Sequence, residues 1–353
     1  MRRNCSILLV TVGLAVLVPH TNAQGLSAGP PSLSVSLFER YLESLRQQSG
    51  IPGLSAAIVQ DGRVIWDGGF GFQDVDGLVR ATADTPYPLL DISQALSSTA
   101  LFERCLERHE LELTDRVRRW NDKFGDDTTT VAQLLAHIAS GSFRYDAGRF
   151  AALTTVIEQC SRGQFPRILA DRILSRVGMT SSVPSHDLAD ETPTRRIFTN
   201  DERSRYDSIL KRVAMPYKVD SRGRAARSEY ARPTVSASTG LVTTVRDLAQ
   251  FDRALDDNIL VHPDTRRQAW EPAASSLPTG LGWFVQRYNG ERIVWHFGVA
   301  RDAYSALYVK VPGRNLTLIL LANSDGLAAP YTLANGDITV SLFAQLFLKL
   351  FVV

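Results

Sequence analysis

Lysine and cysteine are scarce in this sequence, and it has neither a large net charge nor an apolar run of bilayer length. The 353 residues carry a formal net charge of +2, which gives no argument for binding nucleic acid or a membrane surface. The six histidines show no metal-ligand spacing such as H-E-x-x-H, so we predict no metal or other cofactor. The candidates for a catalytic ammonium group are few: Lys123, Lys211, Lys218, Lys310 and Lys349.

Residues 1–23 have the pattern of a secretory signal peptide. Two arginines precede an apolar run over residues 7–18, and the small residue Ala23 ends the segment. The run is too short to cross a bilayer, which favours cleavage over a retained membrane anchor. We therefore expect a secreted or periplasmic protein with no membrane span after cleavage. A linker is expected over residues 24–34, on its Gly, Ser and Pro content.

Two cysteines follow the predicted signal, Cys105 and Cys160, and both lie in predicted helices. In an oxidising compartment the two thiols could pair. A buried free cysteine also behaves as a small apolar residue. We favour two free thiols and keep the disulfide as the alternative.

Strand patterns are concentrated towards the two ends of the chain. The dipeptides Asp61-Gly62 and Asn289-Gly290 each separate two strand-like segments and favour a type I′ turn. A further hairpin is expected around residues 312–313. The predicted strands cover residues 54–60, 63–72, 282–288, 292–296, 304–311 and 316–323.

Helical periodicity fills the middle of the chain. The polar, Arg-rich segment 186–232 has weak periodicity and is expected to form long loops, whereas the apolar tail 338–353 is expected to be a helix packed on the core. The other predicted helices cover residues 35–49, 95–107, 130–139, 149–161, 164–177 and 243–258.

This order of elements predicts an α/β fold in which an antiparallel sheet, built from both ends of the chain and flanked by helices, receives an inserted, mainly helical region. We expect a single domain over residues 35–353. Its α/β part would comprise residues 35–90 and 236–353, and its helical part residues 91–235.

Several short motifs occur in an order that is specific as a set. They are IPGLSAAIV from residue 51, FGF from 70, LTD from 113, VAQLLAH from 131, SASTGL from 236, GLGW from 280, HFG from 296 and LANSDG from 321. The set resembles the serine β-lactamase and penicillin-binding protein family. The branch it resembles is the class C, esterase-like and D-amino-peptidase-like one, because His-x-Gly stands where other branches carry Lys-x-Gly. The resemblance implies a β-lactamase/transpeptidase-like fold.

The family mechanism implied by this resemblance uses a Ser nucleophile at a helix start, with a Lys one turn later in the motif S-x-x-K. A Tyr, usually followed two residues later by Asn, relays protons. A His-x-Gly strand flanks the substrate, and two backbone N–H groups form an oxyanion hole.

Carried over to this chain, the motif positions are only partly filled. Asp91 occupies the nucleophile position and Gln94 the Lys position. Tyr145 matches the relay Tyr, but Ala147 replaces its Asn partner. His296 completes the set of catalytic positions.

The resemblance also implies where a ligand would lie. Phe297, Gly298 and Val299 continue the His-x-Gly strand and, with Ala147, form the expected substrate-binding set. The backbone N–H groups of Asp91 and Val299 would be the oxyanion-hole donors.

The tetrad Asp91-Ile92-Ser93-Gln94 also has a purely structural interpretation. Asp is a preferred N-cap, and a Gln three residues later closes a capping box. Ser93 is not a substitute nucleophile, because a residue two positions past Asp91 points away from the same helix face.

We therefore expect a degenerate, non-acylating family member. Its cleft would bind a small-molecule or peptide ligand such as a cell-wall peptide, a lactam or an ester, or else a protein partner. The first alternative is an active hydrolase with Tyr145 as base and a water or Asp91 as attacking group. The second is a structural or interaction protein with a blocked cleft. The sequence does not determine the oligomeric state.

Overall fold

The computed structural model describes residues 32–352. The predicted signal peptide at residues 1–23 and residues 24–31 of the predicted linker lie outside the described residues. Helix α1 (Leu33–Gln48) begins inside the predicted linker, and the Ser32 hydroxyl caps it by accepting a hydrogen bond from the backbone N–H of Val35. The predicted helix over residues 35–49 is thus present and starts two residues earlier.

A seven-stranded antiparallel sheet forms the centre of the fold. The strands of the described residues are β1 (Gly53–Gln60), β2 (Arg63–Asp74), β3 (Val79–Arg80), β4 (Tyr87–Pro88), β5 (Ile138–Ala139), β6 (Ser142–Phe143), β7 (Tyr217–Val219), β8 (Ala225–Arg227), β9 (Val242–Thr243), β10 (Phe284–Tyr288), β11 (Glu291–Ala300), β12 (Tyr304–Val311) and β13 (Leu316–Ala322). Seven of them form the central sheet, in the order β10-β11-β12-β13-β1-β2-β3, and the others pair as β4-β9, β5-β6 and β7-β8. Since β1 pairs with β13, strands from both ends of the chain share one sheet, and this prediction is confirmed.

The helices are mostly those predicted, but shorter. They are α2 (Ser93–Leu101), α3 (Val131–Leu135), α4 (Ala147–Phe150), α5 (Leu153–Ser161), α6 (Phe165–Leu169), α7 (Asn200–Leu210), α8 (Val245–Asp256), α9 (Pro263–Ala269) and α10 (Leu342–Phe351). One-turn π-helical segments, Phe102–Leu106 and Ala170–Leu174, extend α2 and α6. The predicted helix over residues 130–139 stops at Leu135, and β5 follows it.

The sheet separates two apolar cores, because successive side chains of a strand point to opposite faces. In β1, Ala57 and Val59 join the core beneath the helical region, whereas Ala56 and Ile58 join the core covered by α1 and α10. The apolar tail is therefore a core-packing helix, as predicted. Within the described part of the chain, no helix has the length and apolar character needed to cross a membrane.

The expectation of long loops over residues 186–232 is wrong in part, because the segment contains α7 and the β7–β8 hairpin. The Thr199 hydroxyl and the Glu202 carboxylate form a capping box at the start of α7. Arg195 fixes the helix from outside through a two-oxygen ion pair with Asp207, with both N–O distances at 2.7 Å. Polar anchors therefore replace the apolar periodicity that the segment lacks.

The two cysteines are joined in a disulfide, so the expectation of free thiols is wrong. Cys105 lies in the π-helical end of α2 and Cys160 in α5, which pack together and bring the two Cα atoms to 5.8 Å. That distance lies in the usual range for a disulfide. The bridge ties together two helices that are 55 residues apart in the sequence.

Candidate functional site

The tetrad that begins at Asp91 lies where a 3-10 turn, Leu90–Ile92, runs into α2 and packs against β11. A Cβ added to Gly298 on β11 would lie 2.6 Å from the Leu90 Cβ and 3.0 Å from the Asp91 backbone nitrogen, so only glycine permits this approach. Leu90 has a φ of 55°, a conformation that residues other than glycine seldom adopt. Backbone of this kind is concentrated at functional sites, and here it sets the position of Asp91.

The predicted capping box at Asp91 and Gln94 is not formed, and that interpretation is wrong. Helix α2 begins at Ser93, its N-cap residue is Ile92, and no side chain caps it. The reason is the 3-10 turn, which moves the helix start two residues beyond Asp91. Both side chains are thereby released from the helix end and turn towards Tyr145 instead.

A chain of four hydrogen bonds connects these side chains. The backbone N–H of Asp146 donates to Nδ1 of His137 at 3.1 Å, and Nε2 of His137 lies 2.8 Å from Oε1 of Gln94. The Gln94 amide nitrogen then donates to the Tyr145 hydroxyl oxygen at 3.1 Å. The Tyr145 hydroxyl donates to Oδ2 of Asp91 at 3.0 Å.

The four hydrogen bonds run in one direction from donor to acceptor. Because Nδ1 of His137 accepts from a backbone N–H, the ring carries its proton on Nε2 and donates to Gln94. The Gln94 carbonyl oxygen is thus the acceptor, and its NH₂ group is left to donate to Tyr145. All the donors point towards Asp91, which is the terminal acceptor of the network.

Burial governs the ionisation of the site. It raises the pKa of Asp91 to about 7, and the hydrogen bond from Tyr145 opposes this rise. Burial, together with the charge of Asp91, raises the pKa of Tyr145 well above its usual value. Burial lowers the pKa of His137 to about 3 and that of His296 to about 4. At neutral pH the two imidazoles are neutral, and Asp91 is the group whose charge changes.

His296 lies behind the site rather than in open solvent. Its side chain is 1% exposed, and Nδ1 donates to the backbone carbonyl of Phe297 at 2.8 Å, which leaves Nε2 as an acceptor. The centroid of the Tyr145 ring lies 6.4 Å from that of His296 and 5.3 Å from that of Phe297. The two side chains therefore support the Tyr145 ring.

Strand β11 presents an edge beside Tyr145. Its pairing with β10 ends at Trp295, whereas its pairing with β12 continues to Ala300. Gly298 and Val299 therefore lie beyond the end of β10, with Val299 half-buried. Ala147 is the first residue of α4 and is also half-buried.

Two residues of the site were not singled out from the sequence. His137 is 5% exposed and stacks between the rings of Tyr145, at 4.6 Å, and Phe150, at 5.2 Å. Its position at the end of the VAQLLAH motif was a usable signal. Burial raises the pKa of Tyr230 to about 12, and the charge of Asp91 adds to this rise. Tyr230 therefore lies near Asp91. Tyr230 belongs to the segment predicted as loops, and nothing local marks it.

All three serines of α2 are buried. Ser93 is fully buried, and its hydroxyl does not reach the cleft. Ser97 donates to the carbonyl of Ser93 at 2.8 Å, and Ser98 donates to that of Gln94 at 2.7 Å. Over residues 32–352, no cluster of His, Cys, Asp and Glu side chains is arranged to hold a metal ion.

Known proteins resemble this chain in sequence. Protein flp of Staphylococcus aureus (strain MW2) is 25% identical over 321 residues, which cover 81% of this chain and 62% of that protein. The D-aminopeptidase of Brucella anthropi is 20% identical over 311 residues, which cover 76% of this chain and 55% of the relative. The chain thus spans less than two thirds of the length of these relatives.

A solved structure and a family model agree with these relatives. The octameric penicillin-binding protein homologue from Pyrococcus abyssi superposes with a TM-score of 0.71 at 19% identity, covering 89% of this chain and 77% of that one. This likeness concerns the fold alone. The family model described as Beta-lactamase matches residues 38–340, which include the turn at Asp91, Tyr145 and the His296 strand. With nearly the whole described chain matched, the protein belongs to the beta-lactamase family.

Proposed function

We propose that this protein is a non-acylating member of the family whose cleft binds a ligand without cleaving it. The observation that carries the proposal is the hydrogen bond of 3.0 Å that the Asp91 carboxylate accepts from Tyr145, at the position that the family resemblance assigns to the nucleophile. Attack by a carboxylate on an amide or lactam gives a reactive anhydride, for which it is a poor nucleophile. Its negative charge would also oppose the charge that develops in the predicted oxyanion hole.

The hydrogen-bond directions argue against Tyr145 as a general base. Its hydroxyl already donates its proton to Asp91, and its oxygen accepts from Gln94. Since its pKa is raised well above the usual value, it holds its proton at neutral pH. An ammonium group that could lower this pKa is absent from position 94. The active-hydrolase alternative is therefore the less favoured one.

The ligand classes follow from the family and from the open edge of β11. A relative is named D-aminopeptidase, and an extended peptide can add to a free strand edge through backbone hydrogen bonds. We propose that such a ligand, a cell-wall-like peptide or a lactam or ester, lies along Gly298 and Val299. Phe297 and Ala147 would complete the binding positions.

We also propose that the protein is secreted or periplasmic. The disulfide between Cys105 and Cys160 supports this, because disulfides persist in oxidising compartments. The signal-like pattern of residues 1–23 agrees with it.

Restoring the family residues tests the non-acylating role. The triple variant Asp91→Ser, Gln94→Lys, Ala147→Asn should become covalently labelled by a fluorescent penicillin, because Nε2 of Gln94 lies 3.1 Å from the Tyr145 hydroxyl and an ammonium group can take its place. The wild type, and the double variant that keeps Asp91, should stay unlabelled.

Two results would count against the proposal. Labelling of the wild type, or turnover of a chromogenic lactam or ester that is lost in Asp91→Asn, contradicts the non-acylating role. An unlabelled but folded triple variant would mean that positions beyond these three also prevent acylation. Stabilisation of the wild type by muropeptides supports ligand binding over a blocked cleft.

A further inference from the structure

We propose that the cleft selects a ligand carrying a protonated amine, and that the Asp91 carboxylate is the group that pairs with it. The inference rests on the proposed binding role of the cleft and adds the charge of the ligand. Three features support it: the charge balance of the site, a carboxylate oxygen left open, and the aromatic rings around it.

The charge balance of the site is zero or negative, never positive. Gln94 has no charge, the imidazoles of His137 and His296 are neutral, and Tyr145 keeps its proton. Within residues 32–352, the ion pairs closer than 4.0 Å join other side chains, and Asp91 is in none of them. An anionic ligand would therefore meet a like charge, and a cation would meet an unpaired opposite one.

Two basic groups of the surrounding region are paired with other carboxylates. The charge of Arg149 reaches His137, but Arg149 forms an ion pair with Asp126 at 2.9 Å. Arg232, which lies towards Tyr230, pairs with Asp190 at 2.7 Å. Neither arginine forms an ion pair with the Asp91 carboxylate, so a ligand would supply the positive charge.

The carboxylate of Asp91 has one side free. Tyr145 donates to Oδ2, and no described residue donates to Oδ1. Asp91 is half-buried, and Oδ1 is not among the buried atoms that lack a partner, so this oxygen is in contact with solvent. A primary ammonium group has three donors on a compact charge and can reach this oxygen without displacing Tyr145.

Aromatic rings complete the surroundings of a cation. Tyr145 contacts Asp91, and Tyr230 lies within its electrostatic influence. Faces of aromatic rings attract ammonium groups, and since the ring of Tyr145 packs against His137 and Phe297, this contact falls to Tyr230.

The test compares ligands that differ by one charge. A D-alanyl peptide amide with a free amino group, its N-acetylated counterpart and a small primary amine are titrated into the full-length mature protein at pH 8 by calorimetry. We expect the free-amine peptide to bind at least about tenfold more tightly than the acetylated one, because the attraction between opposite charges is stronger in a half-buried site than in water. If the small amine binds by itself, the ammonium group is sufficient for binding. If it does not, the peptide portion also contributes to the affinity.

Matched variants separate this inference from the function on which it rests. In Asp91→Asn, which keeps an acceptor for Tyr145, the preference for the free amine should fall to about onefold. Asp122→Asn removes one exposed charge elsewhere and should keep the preference. Equal binding of both peptides, or a preference that survives in Asp91→Asn, overturns the amine inference alone. Failure of all the probes to bind overturns both the amine inference and the ligand-binding role.

Discussion

Two polar clusters of this protein hold charged groups away from water in different ways. Beneath the sheet, Lys310 is fully buried, and its ammonium lies 2.9 Å from Asp252 and 2.8 Å from Asp256. In the cleft, the half-buried Asp91 receives a hydrogen bond from the neutral Tyr145 and forms no ion pair within the described chain. In the first cluster both carboxylates are paired with the ammonium, whereas in the second the carboxylate has no cation partner within the described chain.

The difference appears in how each group ionises. Burial alone would lower the pKa of Lys310, but the charges of Asp252 and Asp256 raise it above its usual value, so the lysine stays charged. Burial raises the pKa of Asp91, and only a neutral donor opposes the rise. The Lys310 cluster therefore has the properties of a structural ion pair, whereas the Asp91 site keeps an uncompensated charge that destabilises the empty cleft.

Lys310→Met should have the largest effect, because it leaves the buried carboxylate of Asp252 and the half-buried one of Asp256 without their cation. We expect a loss of about 3–5 kcal/mol in the free energy of unfolding, measured by urea denaturation. Lys349→Met, on the exposed side of α10, should change it by less than about 0.5 kcal/mol. A loss below about 1 kcal/mol for Lys310→Met would remove the contrast between the clusters.

Asp91→Asn should have the opposite sign. The folded pKa of Asp91, about 7, lies above the ordinary value of 3.8, so ionisation costs the folded state stability as pH rises from 4 to 7. The variant should be more stable than wild type by about 1–3 kcal/mol at pH 8, allowing for partial exposure, and no more stable at pH 4. Asp122→Asn serves as the control without such pH dependence, and a destabilised Asp91→Asn at pH 8 would contradict the account.

Binding of the free-amine peptide should strengthen with pH. The ionised fraction of Asp91 rises about tenfold between pH 6 and pH 8 for a pKa of about 7. The α-amino group of the peptide, with an ordinary pKa of about 8, loses about half of its charge by pH 8, so the affinity should rise about fivefold over this range. The groups that face Asp91, His137, Tyr145, Tyr230 and His296, all keep their protonation over this range. Calorimetric titrations at several pH values measure this, and an affinity that stays flat or falls would exclude Asp91 as the counter-ion.

Tyr145→Phe should give the smallest change. The variant removes the hydrogen bond that opposes the effect of burial, so the pKa of Asp91 should rise further. Carbon-13 NMR of the Asp91 carboxyl follows the titration, and Tyr41→Phe on the exposed face of α1 is the matched control. A lower pKa in Tyr145→Phe would mean that the hydroxyl does not donate to the carboxylate.

Local signals in the sequence were enough for the sheet. Asp61 and Gly62, like Asn289 and Gly290, have positive φ in the structure, as a type I′ turn requires, and both hairpins form where they were predicted. The ordered motifs then identified the family, because their spacing reflects the whole fold.

The side chains of the site were harder to predict, because tertiary contacts orient them. Asp91 and Gln94 fit a capping box by pattern, yet the turn pressed against Gly298 moves the helix start and directs both towards Tyr145. The disulfide depended in the same way on the packing of two helices distant in sequence. By contrast, the capping box at Thr199 was visible in the sequence and should have indicated α7.

Intact-mass spectrometry of the wild-type protein after prolonged incubation with a penicillin tests the central claim most directly. If a carboxylate has replaced the acylating hydroxyl, the mass stays that of the unmodified chain at every time point. A stable adduct that maps to the turn before α2 would show that acyl transfer persists there, and the open-carboxylate account would fail.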